Sequence, residues 1–122
     1  MATVLVVDDD PQARALLQAT LLELGHKVLL APDGEVALAL CYQASPDLVI
    51  TDLVMPVLNG VLLIEHLTNL DPLTPIIGIS GKGQGQLHRA KEAGAVGVLR
   101  KPIDRVQIMN EVDRVLAMKE RF

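Results

Sequence analysis

The sequence predicts an α/β fold of repeated βα units around a parallel sheet, and three observations predict it. Four short runs, Val4-Leu5-Val6-Val7, Leu48-Val49-Ile50-Thr51, Ile76-Ile77-Gly78-Ile79 and Val96-Gly97-Val98-Leu99, are largely apolar, the pattern of strands buried on both faces. Longer segments of helical period alternate with them. The four runs end in Asp8-Asp9, Asp52, Ser80 and Lys101, which in a parallel sheet lie along one edge. That carboxyl edge is where open α/β sheets bind ligands.

Taken in order, the first strand is Thr3 to Val7. Asp10 caps the helix that follows, Pro11 occupies its first turn, and Leu17, Leu21 and Leu24 form its apolar stripe up to a stop at Gly25. A second strand, Lys27 to Ala31, leads through Pro32-Asp33-Gly34 into a helix from Glu35 to about Gln43. Ser45-Pro46-Asp47 resets the chain. The third strand, Leu48 to Thr51, delivers Asp52. Met55-Pro56 and Asn59-Gly60 then break the chain ahead of a helix from Val61 to Leu70. The stiff segment Asp71-Pro72-Leu73-Thr74-Pro75 returns it to the fourth strand, which Ser80 closes. Gly81-Lys82-Gly83-Gln84-Gly85 reads as a mobile loop before a weak helix ending near Ala93, because an interior Gly costs about 1 kcal/mol relative to Ala. The fifth strand ends at Arg100-Lys101-Pro102. Asp104 caps a last helix to about Lys119, with Val106, Met109, Val112 and Leu116 on its inner face.

Composition narrows the functions available. The 122 residues fit one domain, which at this size buries roughly two thirds of its unfolded surface. Half the residues are apolar but only Tyr42 and Phe122 are aromatic, so Leu, Val, Ile and Ala must build the core. The net charge is −4, and no basic cluster exceeds Arg100-Lys101, which argues against direct nucleic-acid binding. No stretch approaches the roughly 18 consecutive apolar residues of a membrane span, and no basic segment precedes an apolar signal region. Cys41 is the only cysteine, so no internal disulfide forms, and a cytoplasmic setting is expected. His26, His66 and His88 lack metal-ligand spacing and read as solvated surface.

The residues at the strand ends suit phosphoryl chemistry. Asp8, Asp9 and Asp52 with Lys101 leave two uncompensated negative charges, which one Mg²⁺ neutralises. Mg²⁺ binds through a small number of carboxylates and keeps several waters, so an open edge is adequate. With the metal screening repulsion, a carboxylate can attack a phosphoryl group to give an acyl phosphate. Lys101 and Ser80 are placed to stabilise the charge that develops on its oxygens.

Val6-Val7-Asp8-Asp9-Asp10-Pro11, Thr51-Asp52-Leu53-Val54-Met55-Pro56 with Asn59-Gly60, Ser80, Gly94-Ala95 and Lys101-Pro102 occur in the order and spacing of a known family. Over essentially its whole length, 1–122, the chain resembles a receiver domain of two-component response regulators. The resemblance implies a flavodoxin-like three-layer sandwich, a five-stranded parallel sheet in the order 2-1-3-4-5 with five helices. It implies that Asp52 is the phosphoacceptor, Asp9 a direct Mg²⁺ ligand, Asp8 an acidic neighbour acting partly through water, and Val54 a metal ligand through its backbone carbonyl. Ser80 and Lys101 become the switch pair, and the Lys101-Pro102 bond is expected to be cis. The implied partners are a sensor histidine kinase or histidine phosphotransfer protein, with an output partner or fused output domain that the sequence does not identify.

The chain departs from the family pattern in the fifth strand. Receivers often carry a Tyr or Phe two or three residues before the lysine, and here Val98 stands there, which has no ring to swing. Two positions that tune phosphoryl lifetime in the family are Val54 and Lys82. Two other functions compete: a haloacid-dehalogenase-like phosphohydrolase using Asp8 and Asp10, and a docking receiver that is never phosphorylated. The first lacks a distal acidic pair, has Gln12 where a Thr or Val is expected, and has too short a chain for a substrate-closing cap.

Overall fold

A computed structural model describes residues 1–55, 59–81 and 84–120. Pro56, Lys82 and Gly83, on which the chain break, a lifetime-tuning role and part of the glycine loop were expected, lie outside the described residues. The elements alternate as β1 (Thr3–Val7), α1 (Pro11–Glu23), β2 (Lys27–Ala31), α2 (Gly34–Ala44), β3 (Leu48–Asp52), α3 (Gly60–Leu70), β4 (Ile76–Ser80), α4 (Gln84–Ala93), β5 (Gly97–Arg100) and α5 (Arg105–Glu120). The five strands are parallel in the order β2-β1-β3-β4-β5.

Side chains alternate across a strand, so the sheet feeds a core on each face. Leu5, Val7, Val49 and Ile76 pack with Leu63, Ile64, Leu67 and Ala90 on the side of α3 and α4. Val4, Val6, Leu48, Ile50, Ile77, Ile79 and Leu99 pack with Leu17 and Leu21 of α1 and with Ile108, Val112 and Val115 of α5. A fully buried Leu or Ile contributes about 1.5–3 kcal/mol, and these aliphatic layers replace the missing aromatics.

The helix starts follow their caps. Asp10 accepts from the Gln12 amide, Asp33 from Val36 and Asn59 from Leu62, each at 3.0 Å. Positive φ at Gly25 and Gly94 closes α1 and α4, and at Gly94 a Cβ would also run into Thr68. At the opposite edge from the carboxyl ends, Asp47 Oδ2 accepts from the Thr3 amide at 2.8 Å while Lys119 Nζ reaches Asp47 Oδ1 at 3.4 Å, tying β1 and α5 to the turn before β3.

Three expectations need correction. The inner face of α5 is Ile108, Val112 and Val115 with Leu116 at its margin, while Val106 is 63% exposed. The stripe is set by what meets Leu17, Ile77 and Leu99, and a Val in the first turn lies beyond that contact. Helix α4 begins at Gln84, so Gly85 belongs to a helix, not to a loop. His26 is half-buried, and its Nδ1 accepts the Ala2 amide at 3.1 Å.

Candidate functional site

Strand order reverses between β1 and β3, since β1 has β2 on one side and β3 on the other. The crevice at such a switch point is where doubly wound sheets hold ligands. Asp8 and Asp9 leave β1 there, Asp52 ends β3, Ser80 ends β4, and Lys101 follows β5. Carboxylate oxygens of Asp8, Asp9 and Asp52 all lie within 4.8 Å of one another.

Each acid is fixed differently. Asp8 is fully buried; its Oδ1 accepts from the Asp10 amide at 2.9 Å, and its carbonyl accepts from Arg14 Nη1 at 2.6 Å. Its Oδ2 has no hydrogen-bond partner among the described residues. Burial pushes the Asp8 carboxyl up to about 6, with the Asp52 charge adding to the shift and the Asp10 amide and Lys101 opposing it. Asp9 is exposed. Asp52 is buried, with Oδ1 accepting from the Val54 amide at 3.1 Å and Oδ2 from Lys101 Nζ at 3.1 Å.

Lys101 is the fixed cation of the group. Its Nζ also stands 3.8 Å from Asp8 Oδ2, an ion-pair distance too long for a hydrogen bond. Burial pulls its pKa down, but the hydrogen bond and charge of Asp52, then the charge of Asp8, outweigh that and raise it, so the ammonium stays charged. Its backbone N–H donates to Ser80 O at 2.8 Å, which locks the ends of β4 and β5 together, and the Lys101-Pro102 bond is cis as expected.

The turn carrying Asp52 is braced from α3. Gly60 N donates to Leu53 O at 3.1 Å, and a Cβ on Gly60 would run into the Asp52 carbonyl oxygen. Only glycine allows so close an approach. Val54 is half-exposed beside the group, and Ser80 is buried with its hydroxyl donating to Gln86 Oε1 at 3.0 Å.

The donor set fits a hard divalent cation. It is all oxygen, it carries excess negative charge, and one buried carboxylate oxygen has no donor among the described residues, which a metal or its waters would satisfy. The structure thus gathers Asp8, Asp9 and Asp52 with Lys101, and sets Ser80 and Val54 at the neighbouring strand and turn. Reading the sequence had not picked out Gln86 or Arg14. Arg14 sits one helical turn after Asp10, so the period of α1 could have found it; Gln86 required knowing where α4 begins.

Val98 is half-buried, and the outer edge of β5 is capped from α5. Glu111 Oε2 accepts from the Val98 amide at 3.1 Å, Arg114 pairs with Glu111, and Arg114 Nη2 donates to Val96 O at 2.9 Å. Elsewhere, Cys41 lines a cavity of about 230 Å³ with Tyr42, Val49 and Leu67, and burial pushes its thiol up to about 11, the range of an inert packing residue.

Comparison with known proteins gives a consistent picture. The family model for the response regulator receiver domain matches residues 4–113. Protein PilH of Pseudomonas aeruginosa is 39% identical over 121 residues, which cover 96% of this chain and 99% of PilH. Regulator of RpoS of Escherichia coli (strain K12) is 36% identical over 110 residues, 89% of this chain. The chain spans about a third of that relative's length, 33%. Among solved structures, the chemotaxis response regulator CheY4 of Vibrio cholerae superposes with a TM-score of 0.88 at 32% identity, covering 94% of this chain and 98% of that one.

Proposed function

Because the chain belongs to the response regulator receiver family, we propose that it is a phosphoacceptor module in which Asp52 takes a phosphoryl group from a phosphohistidine. The donor is a sensor histidine kinase or a histidine phosphotransfer protein. A carboxylate oxygen of Asp52 forms the new O–P bond as the N–P bond of the donor breaks, and that electron pair returns to the imidazole nitrogen, which takes up a proton.

The observation that carries this reading is the buried, donorless Oδ2 of Asp8 beside Asp52 and Asp9, bridged on one side by Lys101. Asp8, Asp9, Asp52 and the backbone carbonyl of Val54 would hold Mg²⁺, which when bound supplies charge screening between the carboxylates and the phosphoryl oxygens. Lys101 passes from its pairing with Asp52 to a phosphoryl oxygen, and the Ser80 hydroxyl donates a hydrogen bond to another. Both contacts strengthen as charge moves onto those oxygens, so they stabilise the phosphorylated state. Val54 presents an apolar side chain that offers attacking water no hydrogen bond, which favours a persistent acyl phosphate. The module signals by shifting a two-state equilibrium, without turning over a substrate in steady state. The reading includes the whole chain as one receiver, a cytoplasmic setting, which the lone cysteine supports, and an output partner or fused domain outside the chain's own chemistry.

The phosphohydrolase reading loses its second carboxylate, because Asp10 is exposed and committed to capping α1. Nothing in the site favours a docking role without phosphorylation, since every group that such chemistry needs is present.

Beryllofluoride, a phosphoryl mimic, tests the proposal. It is expected to bind only with Mg²⁺ and to lose binding in Asp52→Asn, while Asp9→Ala folds but binds Mg²⁺ at least tenfold more weakly, the order of loss for a direct ligand. Binding of the mimic by Asp52→Asn, or without Mg²⁺, would remove Asp52 from the assigned role.

A further inference from the structure

We infer that Gln86 is a positioning residue for the switch: its side-chain carbonyl holds the Ser80 hydroxyl against α4 and competes with the phosphoryl group for it. This rests on the phosphoacceptor reading above and adds to it the group that opposes the phosphorylated state.

The competition turns on one proton. A serine hydroxyl donates a single hydrogen bond, and that of Ser80 goes to Gln86 Oε1 at 3.0 Å. A phosphoryl oxygen on Asp52 needs the same proton. Both acceptors cannot hold it at once, so phosphorylation must take Ser80 from Gln86, and anything that strengthens the Gln86 contact disfavours the phosphorylated state by the same amount.

The surroundings make the competition consequential. Gln86 is half-buried in the first helical turn after the site, directly before Leu87, which with Ala90 is the buried anchor of α4. Apart from Leu87, Ala90 and the partly buried Ala93, that helix is polar and exposes His88, Arg89, Lys91 and Glu92, so its apolar anchors are small and the Ser80 hydroxyl adds a polar tie at its first turn. Once Ser80 turns away, the carbonyl of Gln86 is left half-buried without that donor, and rotation of the first turn of α4 restores its solvation.

Strand β5 offers no equal route. The Val98 and Val96 backbone groups are pinned from α5 by Glu111 and Arg114, and Val98 has no ring to reorient. A displaced Gln86 therefore gives, among the described residues, a path from Asp52 to the surface through α4.

The test compares beryllofluoride affinity, with Mg²⁺, in the whole chain and in Gln86→Leu, which removes the acceptor at similar size. The expected result is binding about two- to tenfold tighter, the range for one neutral hydrogen bond, with affinity for Mg²⁺ alone unchanged. In a Ser80→Ala background the same substitution is expected to change nothing, and Gln86→Glu, which keeps an acceptor at that reach, is not expected to tighten binding. Gln86→Ala serves equally if the leucine variant unfolds. Unchanged or weaker binding in Gln86→Leu, or equal tightening without the Ser80 hydroxyl, would overturn the latch while leaving the phosphoacceptor role standing. A parent chain that bound no beryllofluoride would remove that role and the latch with it.

Discussion

Asp8 concentrates the electrostatic cost of the site. A carboxylate with one oxygen lacking a donor among the described residues is held fully buried, and its carboxyl is raised from 3.8 to about 6. For an acid whose folded-state value lies above its unfolded one, the favourable neutral form is fully present below about pH 4. That contribution is lost as pH rises through about 6. At pH 7 without metal the ionised Asp8 costs roughly 2–3 kcal/mol, from 1.36 kcal/mol per unit. Asp8→Asn keeps an acceptor for the Asp10 amide and removes the charge. Urea unfolding in chelator should find it more stable than the parent by about 1–3 kcal/mol at pH 7, with the gap closing near pH 4. Equal stability at pH 7, or a gap that persists in acid, would contradict this account. The identities of Asp8, Asp9, Asp52, Ser80 and Lys101 were legible because a strand end followed by a polar residue is a local pattern. Which carboxylate oxygen lacks a donor is a property of packing, and no residue pattern encodes it.

At the scale of elements, the strands and the Leu17–Leu21 face of α1 were legible, and the phase of α5 was not. Asp10 and Asp104 announce helix starts by chemistry confined to a few residues, and both accept an amide of the first turn, while the caps at Asp33 and Asn59 emerged only in the structure. The inner face of α5 depends on what it meets, and with Val and Met spread around the helix the stripe could be drawn one step out of phase. Helix α4 starts earlier than its glycines suggested because Leu87 and Ala90 are buried, Ala90 beside Gly78 of β4, and that burial outweighs the propensity loss at Gly85. Helix α3 bears most directly on the site, since its first residue touches the turn that carries Asp52. Gly60→Ala forces a methyl into the Asp52 carbonyl and should cost about 1–3 kcal/mol while displacing the carboxylate. Thermal unfolding and beryllofluoride titration together check it. A variant as stable as the parent that binds the mimic normally would show that α3 does not set the Asp52 position.

For the whole molecule, the alternating βα pattern was legible from four apolar runs, whereas strand order came only through family resemblance. Runs buried on both faces look alike wherever they sit in a sheet, and nothing local to β1 states that β2 and β3 flank it. That arrangement nonetheless creates the site, because reversal of order at β1 and β3 opens the crevice where the three carboxylates meet. Among the described residues no helix is long and apolar enough to cross a membrane. The central claim is that this gathering makes Asp52 a single-use phosphoryl acceptor, and locating the label tests it most directly. After incubation with a small acyl-phosphate donor and Mg²⁺, peptide mapping by mass spectrometry should find one phosphoryl group per chain, on the peptide containing Asp52, and none when Mg²⁺ is chelated. A label on another carboxylate or on a histidine, or labelling that is indifferent to Mg²⁺, would contradict it.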